Sequence, residues 1–242
     1  MEYVSELGAI GSATVLTTSV ICFCGHMAGF ATVGSLAPAN KRQDWANLAF
    51  SSVFQIVFVC SLLLAYWDLH RGLAEDVVEV KAVVLYKVLL GYFLYDISFL
   101  ILHGTKHKGF IAHHVVAILC LNLFIKHGFS SLWFNLLFAA LGEGANPFLS
   151  LRTIIRVNPG KCSLLYKLNM GVLLFLYFTL RVVGFPLILV LHYPEVSNTP
   201  VFKWGPPFAG ALAVWGVSLF WFRDLVADWH TLGTNKIVQT VH

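Results

Sequence analysis

Apolar runs of about 20 residues recur along this 242-residue chain, and a helix of that length crosses the hydrocarbon of a bilayer. No other feature restricts the fold so severely. Lipid offers the backbone no hydrogen-bond partners and admits only helices or closed barrels. The runs are continuous rather than alternating, so helices are predicted. Seven spans can be drawn, at 8–30, 46–67, 82–103, 110–126, 131–150, 164–191 and 207–227. Charged residues make up 12% of the chain, about half their usual share in soluble domains. With 58% hydrophobic residues, that excludes an ordinary soluble core and a disordered chain alike. The expected class is an all-α polytopic membrane protein with seven transmembrane helices.

Orientation follows from Lys and Arg, which cytosolic loops carry in excess. Lys41, Arg42, Lys106, Lys108, Arg152, Arg156, Lys161, Arg223 and Lys236 fall on one side of the spans, and Arg71, Lys81, Lys126 and Lys203 on the other. Assigning the richer side to the cytosol gives an N-outside, C-cytosolic protein. The net charge of +4 then reads as topology, and nucleic acid is not an expected partner. No Lys or Arg precedes the first run, which reads as a retained signal anchor rather than a cleaved signal.

Ionisable groups inside spans are costly and face a partner, a bundle interior or a cavity. Asp96 lies seven residues before His103 at the cytosolic end of span three, about 10 Å deep and on the same helical face. His113 and His114 sit about 5 Å inside span four from the same side. A short loop joins these two spans, which are therefore expected to pack as antiparallel neighbours. Span five brings Glu143 and Asn146, three residues apart, to the cytosolic half. Asn169 in span six and Asp224 in span seven reach the same depth, while Arg181 lies deep in span six and needs a carboxylate, a carbonyl or a lipid phosphate. Polar groups from five spans thus converge, which disfavours a receptor.

Two readings of that convergence stand side by side. Adjacent helical residues point about 100° apart, so one histidine can face a cavity while the other pairs with Asp96. A carboxylate that accepts a ring N–H fixes the tautomer and prepares the other nitrogen as base or nucleophile. The second reading is a polar knot that ties helices together, at about 0.6 kcal/mol per interhelical hydrogen bond. A histidine-rich metal site is disfavoured, since position 110 is Phe and the remaining histidines are scattered. No metal and no bound cofactor is expected. Cys22, Cys24, Cys60 and Cys120 lie inside apolar runs and read as buried, unpaired thiols.

Four segments carry a resemblance: KRQDWANLAFSS, YFLYDISFLILH, FIAHHVVAI and GEGANPFLSLR. Together they resemble the TLC domain over residues 41–230, and GEGANPFLSLR is similar to the smaller TLC-domain-containing proteins more than to the ceramide synthases. The resemblance implies an anchor segment at 1–40, the TLC domain at 41–230, and a cytosolic tail at 231–242. It also implies that the last six spans form a bundle or barrel around a lipid-accessible cavity, in the endoplasmic reticulum or a related membrane. His113, His114 and Asp96 match the family's paired histidines and preceding aspartate. Glu143 stands where the synthases carry a His-Asp-x-x-Asp stretch, and the second carboxylate of that stretch has no counterpart.

The expected function is lipid handling by a histidine-dependent acyltransferase-like enzyme. His113, His114, Asp96 and Glu143 form its expected catalytic set, and His103, Asn146, Asn169, Arg181 and Asp224 support it or bind substrate. The expected partner is a membrane lipid or long-chain amphiphile, with acyl-CoA as a candidate donor substrate. A homo-oligomer is compatible with this reading. The alternative is a non-catalytic lipid sensor, carrier or regulator of membrane lipid composition.

Overall fold

Long apolar segments fold, in this computed structural model, into helices. The structure describes residues 2–32, 41–102, 108–127, 131–156, 163–197 and 200–233. In chain order the helices are α1 (Glu2–Thr32), α2 (Arg42–His70), α3 (Glu75–Leu102), α4 (Lys108–His127), α5 (Leu132–Glu143), α6 (Asn146–Arg156), α7 (Ser163–Leu176), α8 (Phe185–Val196) and α9 (Val201–Gly233). A π-helical segment, Tyr177–Gly184, runs without a break between α7 and α8. No strand occurs among the described residues.

Among the described residues, four stretches are long and apolar enough to cross a membrane: Ala13–Thr32, Arg42–His70, Leu164–Glu195 and Phe208–Thr231. The chain is a multi-pass integral membrane protein. Several helices outrun the apolar windows drawn from the sequence; α3 begins at Glu75 rather than near 82, and α9 continues to Gly233. A helix end is set by where its backbone hydrogen bonds stop, so polar turns beyond the hydrocarbon extend it unseen by hydropathy.

Packing follows an order that closes on itself. Helix α2 packs on α3, α3 on α4, α4 on α9, and α9 on the π segment, α7 and α8. Helix α7 then packs on α6, α8 on α5, and both α5 and α6 return to α2. Helix α1 stands outside this circuit against α2 and α3. Small residues permit the closest approaches, as expected where lipid is as apolar as the interface. A Cβ on Gly91 would lie 2.6 Å from the Val15 carbonyl oxygen of α1, and one on Gly210 would collide with Cys120 Sγ of α4.

Two proline-containing segments shape the circuit. Pro147 has no N–H to return to the Glu143 carbonyl, and its ring crowds that carbonyl. The predicted fifth span is accordingly broken into α5 and α6 at Gly144 and Ala145. Pro186 likewise cannot donate four residues back to Val182, and the Val182 carbonyl accepts the Trp215 indole N–H at 3.2 Å instead. The sixth predicted span is a single long helical run whose middle is widened into the π form beside that proline. Cys22, Cys24, Cys60 and Cys120 are free thiols, as expected, but Cys24 and Cys60 are exposed on the outer surface rather than buried.

Candidate functional site

A polar stripe runs down the otherwise apolar α2. Asn47, Ser51 and Gln55 recur every four residues, share one face and are all buried. They line a cavity of about 330 Å³ enclosed by α2, α3, α4, the α5–α6 break and α9. Lys41 and Asp44 line one end and Gln55 and Tyr92 the other, so the cavity follows α2 for about 20 Å. His113, His114, Asp96, Glu143 and Asn146 all line it. Both histidines therefore face the same space, with His114 buried and His113 half-buried.

At the centre, His114 Nε2 lies 2.7 Å from Asp96 Oδ2. The other carboxylate oxygen, Oδ1, accepts from Asn47 Nδ2 at 3.1 Å, and Asn47 Oδ1 accepts from the Tyr95 hydroxyl at 2.8 Å. This relay spans α2, α3 and α4. It holds the carboxylate by both oxygens, so Asp96 cannot rotate away from His114. A proton held on Nε2 by Asp96 makes Nδ1 the basic nitrogen. The His114 ring is further fixed edge-on to Phe93 at 5.0 Å. His113 packs against Trp221 of α9, with ring centroids 5.2 Å apart. Trp221 is thus the contribution of the last helix to the cavity wall.

Glu143 ends α5, where the helix dipole disfavours a carboxylate. Asn146 answers this by donating its Nδ2 to Glu143 Oε2 at 2.7 Å. Arg181, 1% exposed, comes from the π segment. Its Nη2 donates to Asn146 Oδ1 at 2.8 Å and also to the Gly142 carbonyl. Its guanidinium lies 5.1 Å from the centre of the Tyr177 ring. Arg181 therefore caps the end of α5 at the break and, through Asn146, positions Glu143.

The remaining expected residues are distributed differently. Asn169 donates to the Phe148 carbonyl at 3.0 Å and ties α7 to α6, outside the cavity lining. Asp224 lies on an exposed face, where it pairs with Arg223 at 3.1 Å. At that end of α9 it is Asp228 that reaches across the bundle, to Arg152 of α6 and to Arg156 at 3.8 Å. His103 lies outside the described residues. Among the described residues, no group of three His, Cys, Asp or Glu side chains is placed to hold a metal ion. Asn47, Tyr95, Ser51, Gln55 and Trp221 have no assigned role in the sequence reading. The signal for three of them is present there, as polar residues at i, i+4 and i+8 in an apolar span.

A family model for the TLC domain matches residues 43–227. The chain belongs to the TLC-domain family. It is 30% identical over 187 residues to TLC domain-containing protein 2 of Danio rerio, covering 68% of this chain and 71% of that protein. It is 29% identical to TLC domain-containing protein 1 of Rattus norvegicus and 28% identical to that of Homo sapiens, in each case over 60% of this chain and 62% of the relative. These names agree with the resemblance of GEGANPFLSLR to the smaller proteins of the family. No solved structure matches the chain.

Proposed function

We propose that this protein is a lipid-handling enzyme of the TLC family, in which the cavity receives the polar end of a long-chain lipid and His114 performs acid–base or acyl-transfer chemistry. The observation that carries the reading is the His114–Asp96 contact of 2.7 Å inside a polar cavity within a membrane-spanning bundle. In this scheme His114 takes the proton of an acceptor hydroxyl or amine as that group attacks an acyl carbonyl, and returns it to the departing thiolate of an acyl-CoA donor. The alternative covalent route uses the same basic nitrogen as a transient acyl acceptor. His113 and Trp221 shape the adjoining wall, and Glu143, positioned by Asn146 and Arg181, assists proton transfer.

Seven crossings complete the proposal, with the N-terminus outside, the C-terminus cytosolic and the last six spans arranged as a barrel. The closed order of helix contacts supports the barrel, and the Lys and Arg distribution supports the orientation. Lys41 in the cavity lining then sits at a cytosolic mouth, where its charge favours a phosphate-bearing donor such as acyl-CoA. An endoplasmic-reticulum or related membrane is the compartment in which such a donor meets newly made lipid.

A second reading, a lipid sensor or carrier without chemistry, is favoured by one observation. The carboxylate of Glu143 is engaged by Asn146. Intact-mass and lipid mass spectrometry of the purified protein, comparing wild type with His113→Ala and His114→Ala, separates the two. A histidine-dependent acyl adduct or lipid product is expected. Unchanged adducts and unchanged cellular lipid composition in both variants would exclude the enzyme and leave the carrier.

A further inference from the structure

A second cleft of about 400 Å³ opens between α2 and α6. Its walls are apolar: Ile56, Val59 and Cys60 on α2 face Pro147, Leu151 and Ile154 on α6. Ile56, Cys60 and Leu151 are exposed on the outer surface of the bundle, so the cleft opens outward along this face. From Ala49 to Cys60 it follows α2 for about 16 Å, well inside the Arg42–His70 membrane-crossing stretch.

One side chain belongs to both spaces. Gln55 lines the polar cavity and the apolar cleft alike, and it is only 7% exposed. Its Nε2 lies 3.4 Å from the Tyr92 hydroxyl, beyond the usual range for such a bond, and its Oε1 has no hydrogen-bond partner among the described residues. An amide buried with both ends under-used, where a polar space meets an apolar one, matches a ligand with a polar group at the top of a hydrocarbon tail.

We propose that the α2–α6 cleft is the tail-binding subsite of this protein. A long-chain lipid enters from the bilayer with its hydrocarbon tail in the cleft and its polar end in the His114–Asp96 cavity, and Gln55 hydrogen-bonds the junction between them. The passage this requires is assigned to the α5–α6 break. Gly144 and Pro147, which interrupt the helix, both line the cleft, and Glu143 and Asn146 at the same break line the cavity. This inference rests on the reading of the polar cavity as the seat of a lipid's polar end. Its ligand class is a single-tailed amphiphile, or one tail of a two-tailed lipid.

The test uses the full-length protein in nanodiscs and a monoacyl lipid probe that carries a diazirine near the methyl end of its chain. After irradiation and digestion, adducts are expected to concentrate on Ile56, Val59, Cys60 and Leu151. Cys60→Trp, which fills the cleft from its outward-facing rim, is expected to abolish that labelling. Gln55→Leu is expected to reduce it severalfold. Adducts spread evenly over outward residues such as Phe175 and Leu212 would overturn the proposal, as would labelling indifferent to Cys60→Trp. The primary map is read on the wild-type protein, so it depends on neither the folding of a variant nor turnover. Labelling of the cleft with silent histidine variants would keep the subsite and sink the chemistry. Histidine-dependent product without labelling of the cleft would do the reverse.

Discussion

Asp96 binds two partners with its two oxygens, and those partners have different consequences when lost. Asp96→Asn keeps the shape but removes the charge that sets the tautomer of His114. Loss of such a positioning partner is expected to lower product formation about 10–100-fold with the fold retained. Lipid product quantified by mass spectrometry checks this, and an unchanged rate would reduce Asp96 to a tie between helices. Asn47 is connected on both sides, to Asp96 and to Tyr95. A cycle of Asn47→Leu, Tyr95→Phe and the double variant should show a coupling of about 0.6 kcal/mol in unfolding free energy, the usual size for an interhelical hydrogen bond in a membrane. Zero coupling would mean that the Tyr95 contact contributes nothing measurable.

At the level of elements, Arg181 secures the α5–α6 break and Gly91 permits the close approach of α1 to α3. Arg181→Met leaves the Gly142 carbonyl and Asn146 Oδ1 without their charged donor, and a loss of about 2–3 kcal/mol in stability is expected. Hydrogen exchange at residues 140–148 should rise with it. Arg181→Lys should recover only part, because an ammonium cannot reproduce the guanidinium fork that reaches both acceptors. Gly91→Ala drives a methyl group against the Val15 carbonyl, a backbone atom that moves only with its helix. Overpacking of this kind costs about 1–3 kcal/mol and should separate α1 from α3. Gly171→Ala, where a Cβ meets nothing within 4 Å, serves as the control and should be neutral or stabilising. Equal thermal midpoints for the two variants would contradict the packing account.

For the whole molecule, the proposed orientation predicts that an N-glycosylation site introduced in the 71–74 turn is modified, whereas one appended after His242 is not; the opposite pattern would invert the topology. The legible part of this fold is the part that depends on local composition. Apolar length determined that the chain is helical and membrane-embedded. Pro147 with its flanking glycines marked a defect in span five, and the depth of Asp96, His113, His114 and Glu143 predicted that they would meet. Depth along a helix is a matter of counting residues, because the rise per residue is constant. Rotation about the helix axis is decided by which neighbours it packs against, and that belongs to the tertiary structure alone. Rotation sent Asn169 to the Phe148 carbonyl and Asp224 to Arg223, although counting along the spans predicts both at the depth of the site. It brought Asn47 under Asp96 and Trp221 beside His113, and placed Gln55 between a polar cavity and an apolar cleft. The sequence by itself determined the membrane class and predicted which polar residues would gather in one layer. Only the packing of helices around one another decided which polar groups in that layer touch, since side-chain contact between spans is set by their mutual rotation and not by hydropathy.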